Sequence, residues 1–421
     1  MTVSEQCAKF IEKSPTAFHA VAQMKARLVA EGYSELFEKD HWNLVPEGKY
    51  FVTRGGSALA AFVLPKKWTG FHIIASHSDS PMFKLKEQPE MEAEKSYIRL
   101  NVEKYGGMLM APWLDRPLSI AGRIFTEDRN SGTLCEHLVD LEEDACLIPN
   151  LAIHMNRDAN NGYAYNAQKD LLPLYALADQ KTSLMKRIAA KAGVEEGDIL
   201  GSDLFVYNRT APSIWGEHRE FISAPRLDDL ECAFASLEGF LKGKKREKCS
   251  IHIVFDNEEV GSGTKQGASA TFLVDLLQRI EKSMGRDYED YVIDLEHSFM
   301  LSADNAHAVH PNVPEKADPV NRPVIGGGVV LKFNANQKYC TDGESAAMFR
   351  QLAKKAKVKT QVFTNRSDVA GGSTLGNLST LRVPMRTADI GLAQLAMHSP
   401  YETAGNADLA AMVKLFTTFF A

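Results

Sequence analysis

Residues 249–262 read C-S-I-H-I-V-F-D-N-E-E-V-G-S, an uncharged run from Cys249 to Phe255 followed at once by Asp256, Asn257, Glu258, Glu259 and a glycine. An apolar run of that length bounded by turn residues predicts a strand buried on both faces, the kind found inside an α/β sheet. Working upstream, Asp228 to Lys242 predicts a helix with Leu230, Ala233, Phe234, Leu237 and Leu241 on one face. Downstream come a helix over Ala268 to Met284 and a strand-like stretch, Phe299 to Ala303. Helices alternating with apolar strands to the C-terminus predict a mixed sheet covered on both sides.

The first ninety residues fit the same scheme, with one helix from about Thr2 to Glu31, a strand over Ala58 to Leu64 and a buried run from Gly70 to Ser76. Between about Glu92 and Ala224 the texture changes to short strands, such as Tyr97 to Val102 and Leu118 to Phe125, with turns at Gly106-Gly107 and Asn160-Asn161-Gly162. The expected organisation is therefore an α/β domain formed by 1–91 and 225–421, interrupted by a β-rich domain at 92–224. Length agrees, because 421 residues exceed what one core of roughly 250–300 residues accommodates.

Composition excludes several classes of function. The chain carries 48 Lys+Arg against 54 Asp+Glu, a formal charge of −6, and no long block of one sign. Nucleic acids and anionic membranes both select clustered Lys and Arg, so neither is an expected partner. The one basic cluster, Lys242 to Lys248, reads as a solvated helix end. Six scattered cysteines without a C-x-x-C pair fit neither a disulfide framework nor a thiolate zinc site, and they predict a reducing compartment. The N-terminal segment mixes charges through an amphipathic pattern, and no apolar run reaches 18 residues, so a cytoplasmic protein without export signal or membrane span is expected.

Polar residues cluster just beyond the predicted strands, where a sheet aims side chains into one crevice. Ser76-His77-Ser78-Asp79-Ser80-Pro81 follows the buried run, and in extended chain His77 and Asp79 project to one side. Taken alone, H-x-D also reads as a polar turn. Asp228 begins a helix, where an N-cap role is sufficient explanation. Adjacent Glu258 and Glu259 offer one carboxylate for a metal and one for a proton, in competition with a solvated acidic loop. Ser302 to Asn312 contributes three potential ligands, Asp304, His307 and His310, and Gln394 to Glu402 contributes His398, which by itself reads as a structural histidine. Together His77, Asp228, Glu259, Asp304 and His398 are five N/O ligands, enough for two ions if one carboxylate bridges, with Glu258 left to take a proton from water.

The set S-H-S-D-S-P, R-L-D-D-L, D-N-E-E-V-G-S, S-A-D-N-A-H-A-V-H-P-N and A-M-H-S, in this order through nearly the whole chain, resembles the M18 metallo-aminopeptidases, the aspartyl aminopeptidase group. The resemblance implies a three-layer α/β/α dizinc peptidase domain with an inserted β-rich dimerisation domain, assembled from dimers into a homo-dodecamer. It implies that His77 and Asp304 hold one zinc and Glu259 and His398 the other, with Asp228 bridging. Manganese or cobalt could replace zinc in one position. Glu258 would be the general base and acid, and Asp79 would orient His77. Gly371 and Gly372 in Gly371-Gly372-Ser373-Thr374 resemble the loop that cradles the peptide backbone of the substrate, though such a loop is as often a mere turn. Tyr339 resembles a tyrosine assisting the tetrahedral intermediate, with core packing as its alternative. Lys332 matches the lysine that faces an acidic N-terminal side chain, where a lysine in a strand is otherwise a solvated edge residue. His154 resembles a histidine reaching the neighbouring subunit's active site.

The activity implied is removal of an N-terminal residue from peptides, with acidic residues preferred. Phe333, where a small aliphatic residue is more usual, leaves open a preference for neutral or basic residues. A related metallo-carboxypeptidase or deacylase is the rival enzyme, and a non-catalytic peptide-binding protein the rival of another class.

Overall fold

The computed structural model describes residues 1–180, 182–244 and 246–421, so Lys245 of the basic cluster lies outside the described residues. The chain divides into two units. The first consists of Met1–Asp79, Pro212–Met397 and Glu402–Ala421, and the second of Ser80–Ala211 with His398–Tyr401. The division falls at 80 and 212, not at 92 and 225. Strand Met82–Ala93 pairs at both ends with Tyr97–Tyr105, across a register shift between Leu85 and Glu90, and it also pairs with Gly201–Asn208, so a cut at 92 would split a ladder. Strands Ser213–Trp215 and Phe221–Ala224 pair instead into the first unit, through Glu402–Gly405.

The first unit is built on a nine-stranded mixed sheet. Its order is Ser34–Leu36, Lys49–Arg54, Ala58–Val63, Cys249–Phe255, Phe71–His77, Phe299–Ala303, Arg386–Gly391, Val329–Phe333 and Thr360–Thr364. Strand residues alternate between two cores, as a period of two requires. Ile74, Val254 and Leu301 pack with Phe10, Met24, Leu237, Phe349 and Phe416 of helices on one face. Ile73, Ala75, Ile253 and Phe255 pack with Phe272, Leu276, Ile280 and Leu295 of helices on the other. This is the expected three-layer α/β/α arrangement. A second sheet of five short strands, including Ala393–Leu395 and Glu402–Gly405, belongs to the same unit.

Two helices differ from expectation. The first thirty residues form Val3–Glu12 and Ala17–Ala30, not one helix. Pro15 cannot donate to the helical ladder, and the buried Arg226 guanidinium donates to the carbonyls of Ser14 (3.0 Å) and Ile11 (3.1 Å), closing the first helix. Helix Leu227–Lys242 is buried on every side through Phe240, because it lies in the middle of the helical layer; the single apolar face is too narrow a description.

The second unit is a six-stranded antiparallel sheet in the order Leu134–Asp140, Leu118–Glu127, Gly201–Asn208, Met82–Ala93, Tyr97–Tyr105 and Leu174–Leu177. A helix, Leu184–Ala192, is capped by Ser183 at its start and by Gly193 in the left-handed region at its end. No helix of the described residues is long and apolar enough to cross a membrane.

Candidate metal centre

Register explains why distant residues meet. Phe255 lies opposite His77 and Ser302 opposite Ala75 in parallel pairing, so three neighbouring strands end on the same edge of the sheet. Directly beyond those ends come Asp79, Glu258 with Glu259, and Asp304, in the crevice where open α/β sheets place their ligands.

His77, Asp228, Asp229 and Asp304 are all buried, and each offers a ligand atom within 4.8 Å of the others. The His77 ring is oriented through Nδ1, which lies 3.1 Å from the Asp79 carbonyl and 3.3 Å from its carboxylate. That leaves Nε2 buried without a hydrogen bond, 3.6 Å from Asp228 Oδ1 and 4.0 Å from Asp304 Oδ1. Donors about 2.1 Å from one ion stand roughly 3–4 Å apart, so this spacing suits a shared cation. The charges agree. Burial disfavours the ionised carboxyl of Asp229 and, with neighbouring carboxylates added, holds it well above its ordinary value; Asp304 is also raised, although Lys332 opposes the shift. Burial would lower His77, but Asp228, Asp229 and Asp79 raise it instead. Crowded buried carboxyl groups around one imidazole need a compensating positive charge, and carboxylate oxygens with an imidazole nitrogen are a donor set that fits zinc.

The turn carrying Glu258 and Glu259 is locally determined. Asn257 adopts the left-handed region at φ 61°, which asparagine tolerates, and its side chain accepts from Thr264 Oγ1 (2.8 Å) and Gln266 Nε2 (3.0 Å). Asp79 then does more than orient His77. Its two carboxylate oxygens accept the backbone N–H groups of Glu258 and Glu259, each at 3.1 Å. One aspartate thus ties the imidazole to the acidic turn. Burial pushes Glu258 up to about 8, with Asp304, Asp79 and Asp228 adding like charge and His77 opposing it. Glu259 is raised for similar reasons.

Asp228 has non-helical φ/ψ at a kink near the start of Leu227–Lys242, and its backbone N–H donates to Glu402 Oε2 at 2.9 Å. Lys332 is not an edge residue. Its strand lies between two others, it is 2% exposed, and Nζ donates to the Asp304 carbonyl at 2.8 Å, with the Asp304 carboxylate at 3.5 Å and the Tyr339 ring centroid at 5.1 Å. Tyr339 packs in a small cluster with Val330 and Phe363, so its core role is real. Gly371 is partly buried and Gly372 exposed, in a stretch without regular structure; a Cβ on Gly371 would meet Asn334 Nδ2 at 2.6 Å. His398 has φ 66°, and its Nδ1 is hydrogen-bonded to the Gly107 carbonyl, which orients the ring as such a bond orients a metal-ligating histidine. His154 is exposed in a turn of the second unit.

Several residues escaped the sequence reading. Asp229 joins the cluster and accepts the His77 backbone N–H at 3.1 Å, and only the doubled aspartate hinted at it. Asp389 is fully buried and accepts from Thr374 Oγ1 (2.8 Å), Cys340 N (2.6 Å) and Cys340 Sγ (2.9 Å), joining the Tyr339 turn to the loop after Gly372. Glu402, Gln394 and Asn305 form a buried polar chain for which the sequence offered no signal.

A three-layer α/β/α unit with carboxylates and an imidazole gathered beyond its parallel strand ends defines the class of metal-dependent hydrolases. Comparison with known proteins narrows this. Residues 10–420 match the family described as aminopeptidase I zinc metalloprotease (M18), and the chain belongs to that family. A probable M18 family aminopeptidase 2 of Clostridium acetobutylicum is 44% identical over 98% of this chain and 96% of its own. Among solved structures, a chain of the Ape4 and Nbr1 complex superposes with a TM-score of 0.96 at 34% identity, covering 99% of this chain and 85% of that one. The mApe1 dodecamer of S. cerevisiae gives 0.88 at 29%, covering 99% and 96%. The protein is a metallo-aminopeptidase.

Proposed function

We propose that this aminopeptidase is a two-ion zinc enzyme that removes acidic residues from peptide N-termini. The observation that carries the reading is the buried cluster of His77, Asp228, Asp229 and Asp304 with Glu258 held beside it by Asp79. His77 and Asp304 would hold one ion, Glu259 and His398 the other, and Asp228 would bridge them. When bound, the ions would polarise the scissile carbonyl and lower the pKa of a water from about 15.7 toward 7.

The chain's own groups do the rest. Glu258 takes a proton from the attacking water and returns it to the leaving amine, a role that requires a carboxylate poised near neutrality. Tyr339 donates a hydrogen bond to the developing oxyanion. Lys332 faces the acidic side chain of the substrate, and the Gly371-Gly372 loop cradles its backbone. His154 reaches the site of a neighbouring copy, within an oligomer built from dimers through the second unit; the dodecamer of a relative supports that assembly.

Glu258→Gln should retain the metal content of the wild type, read by mass spectrometry, while kcat on aspartyl and glutamyl substrates falls about 10²–10⁴-fold. Turnover within a few-fold of wild type removes Glu258 from the role. Acetylating the peptide N-terminus should abolish cleavage, whereas a carboxypeptidase would be indifferent to it.

A further inference from the structure

We propose that Glu402 is a positioning residue of the metal centre, acting with Gln394 and Asn305 to set the separation of Asp228 and Asp304. The inference rests on the metal-centre reading above and assigns work to three residues which that reading leaves idle.

Glu402 is 1% exposed, Gln394 1% and Asn305 3%. Burying a carboxyl group is costly unless its lone pairs are used. Glu402 Oε2 accepts the backbone N–H of Asp228 at 2.9 Å, and Oε1 lies 3.5 Å from Gln394 Nε2. Gln394 Oε1 in turn accepts from Asn305 Nδ2 at 3.0 Å. Asn305 Nδ2 also donates to the carbonyl of Leu227 at 3.2 Å, and Asn305 Oδ1 accepts the Leu392 N–H at 3.2 Å. The bonds close a circuit from Leu227-Asp228 through Glu402, Gln394 and Asn305 back to Leu227. Asn305 is bonded covalently to Asp304. The circuit therefore fixes the backbone on which both aspartates stand.

The geometry has a reason. Asp228 departs from helical φ/ψ, so the helix beginning at Leu227 does not itself determine where its carboxylate points. The bond from the Asp228 N–H to Glu402 Oε2 supplies the missing constraint. Glu402 lies outside the group of converging ligand atoms formed by His77, Asp228, Asp229 and Asp304. Partners that hold metal ligands in place typically contribute 10–100-fold to metal affinity.

The test measures zinc affinity of the full chain by chelator competition, alongside the melting temperature of the metal-free protein. Glu402→Ala should bind zinc at least 10-fold more weakly than wild type, and Glu402→Gln, which keeps an acceptor for the N–H, should fall between them. Gln394→Met breaks the circuit without touching Asp228 and should weaken zinc severalfold; it decides the matter if Glu402→Ala does not fold. Wild-type zinc affinity in Glu402→Ala or, failing that variant, in Gln394→Met overturns the proposal, whatever the melting temperature does, because a purely structural role would lower stability alone. Wild-type protein that holds no stoichiometric zinc would overturn the metal-centre reading itself, and this inference with it.

Discussion

A buried ammonium is expensive, yet Lys332 sits at 2% exposure. Burial alone would discharge it, but Asp304, Tyr339 and Asp389 hold its pKa above the ordinary lysine value, so it stays protonated at neutral pH. A charged group kept inside a site at that cost suits recognition of a substrate carboxylate. Lys332→Met should lower kcat/KM for an aspartyl substrate by about 10–100-fold, the loss of one charge-assisted hydrogen bond, and change an alanyl substrate far less. An equal fall for both substrates would show that the lysine serves only Asp304. Lys332 was recognisable in sequence only by motif; its burial was not, because a strand's place in the sheet order depends on long-range pairing. Asp229 shows the same limit. In sequence it is Asp228's twin, and only the fold distinguishes their partners.

At the level of elements, the strands that decide the architecture were legible. Cys249–Phe255 and Phe299–Ala303 form where their apolar runs predicted, since buried parallel strands leave a continuous hydrophobic signature. The helix expected at Thr2 to Glu31 was not, because its break at Pro15 is completed by Arg226 from far along the chain. Close packing also escapes sequence. In helix Leu227–Lys242, a Cβ on Gly239 would lie 2.4 Å from Phe416 Cβ and 2.9 Å from the Phe416 backbone carbon. Gly239→Ala must push that helix away from Asn406–Phe419, and the strain should exceed the gain in helix propensity. Urea unfolding should show a loss of about 1–3 kcal/mol; an unchanged or raised midpoint would mean that the two helices separate without cost.

For the whole molecule, crowded carboxylates tie stability to pH and metal together. Burial raises Glu258 and Glu231 to about 8 and Asp256 to about 7 in the folded, metal-free protein. Their unfolded values are near 4, so the folded state binds more protons between roughly pH 4 and 8, and their contribution to stability is present in acid and lost as pH rises through that window. Metal ions require ligands without protons and reverse this trend for the residues around them. The gain in melting temperature on adding zinc should therefore grow from pH 5.5 to pH 8, as scanning fluorimetry can follow; a gain independent of pH would mean that the cluster is already deprotonated without metal. The amino-acid sequence by itself determined the α/β class and the β-rich insertion, because hydrophobic period is a local property. Tertiary structure alone decided which strand ends share an edge, that Asp79 holds the acidic turn, and that Glu402 reaches the Asp228 backbone. Those are distances between segments remote in the chain, set by sheet register and packing that no single stretch encodes.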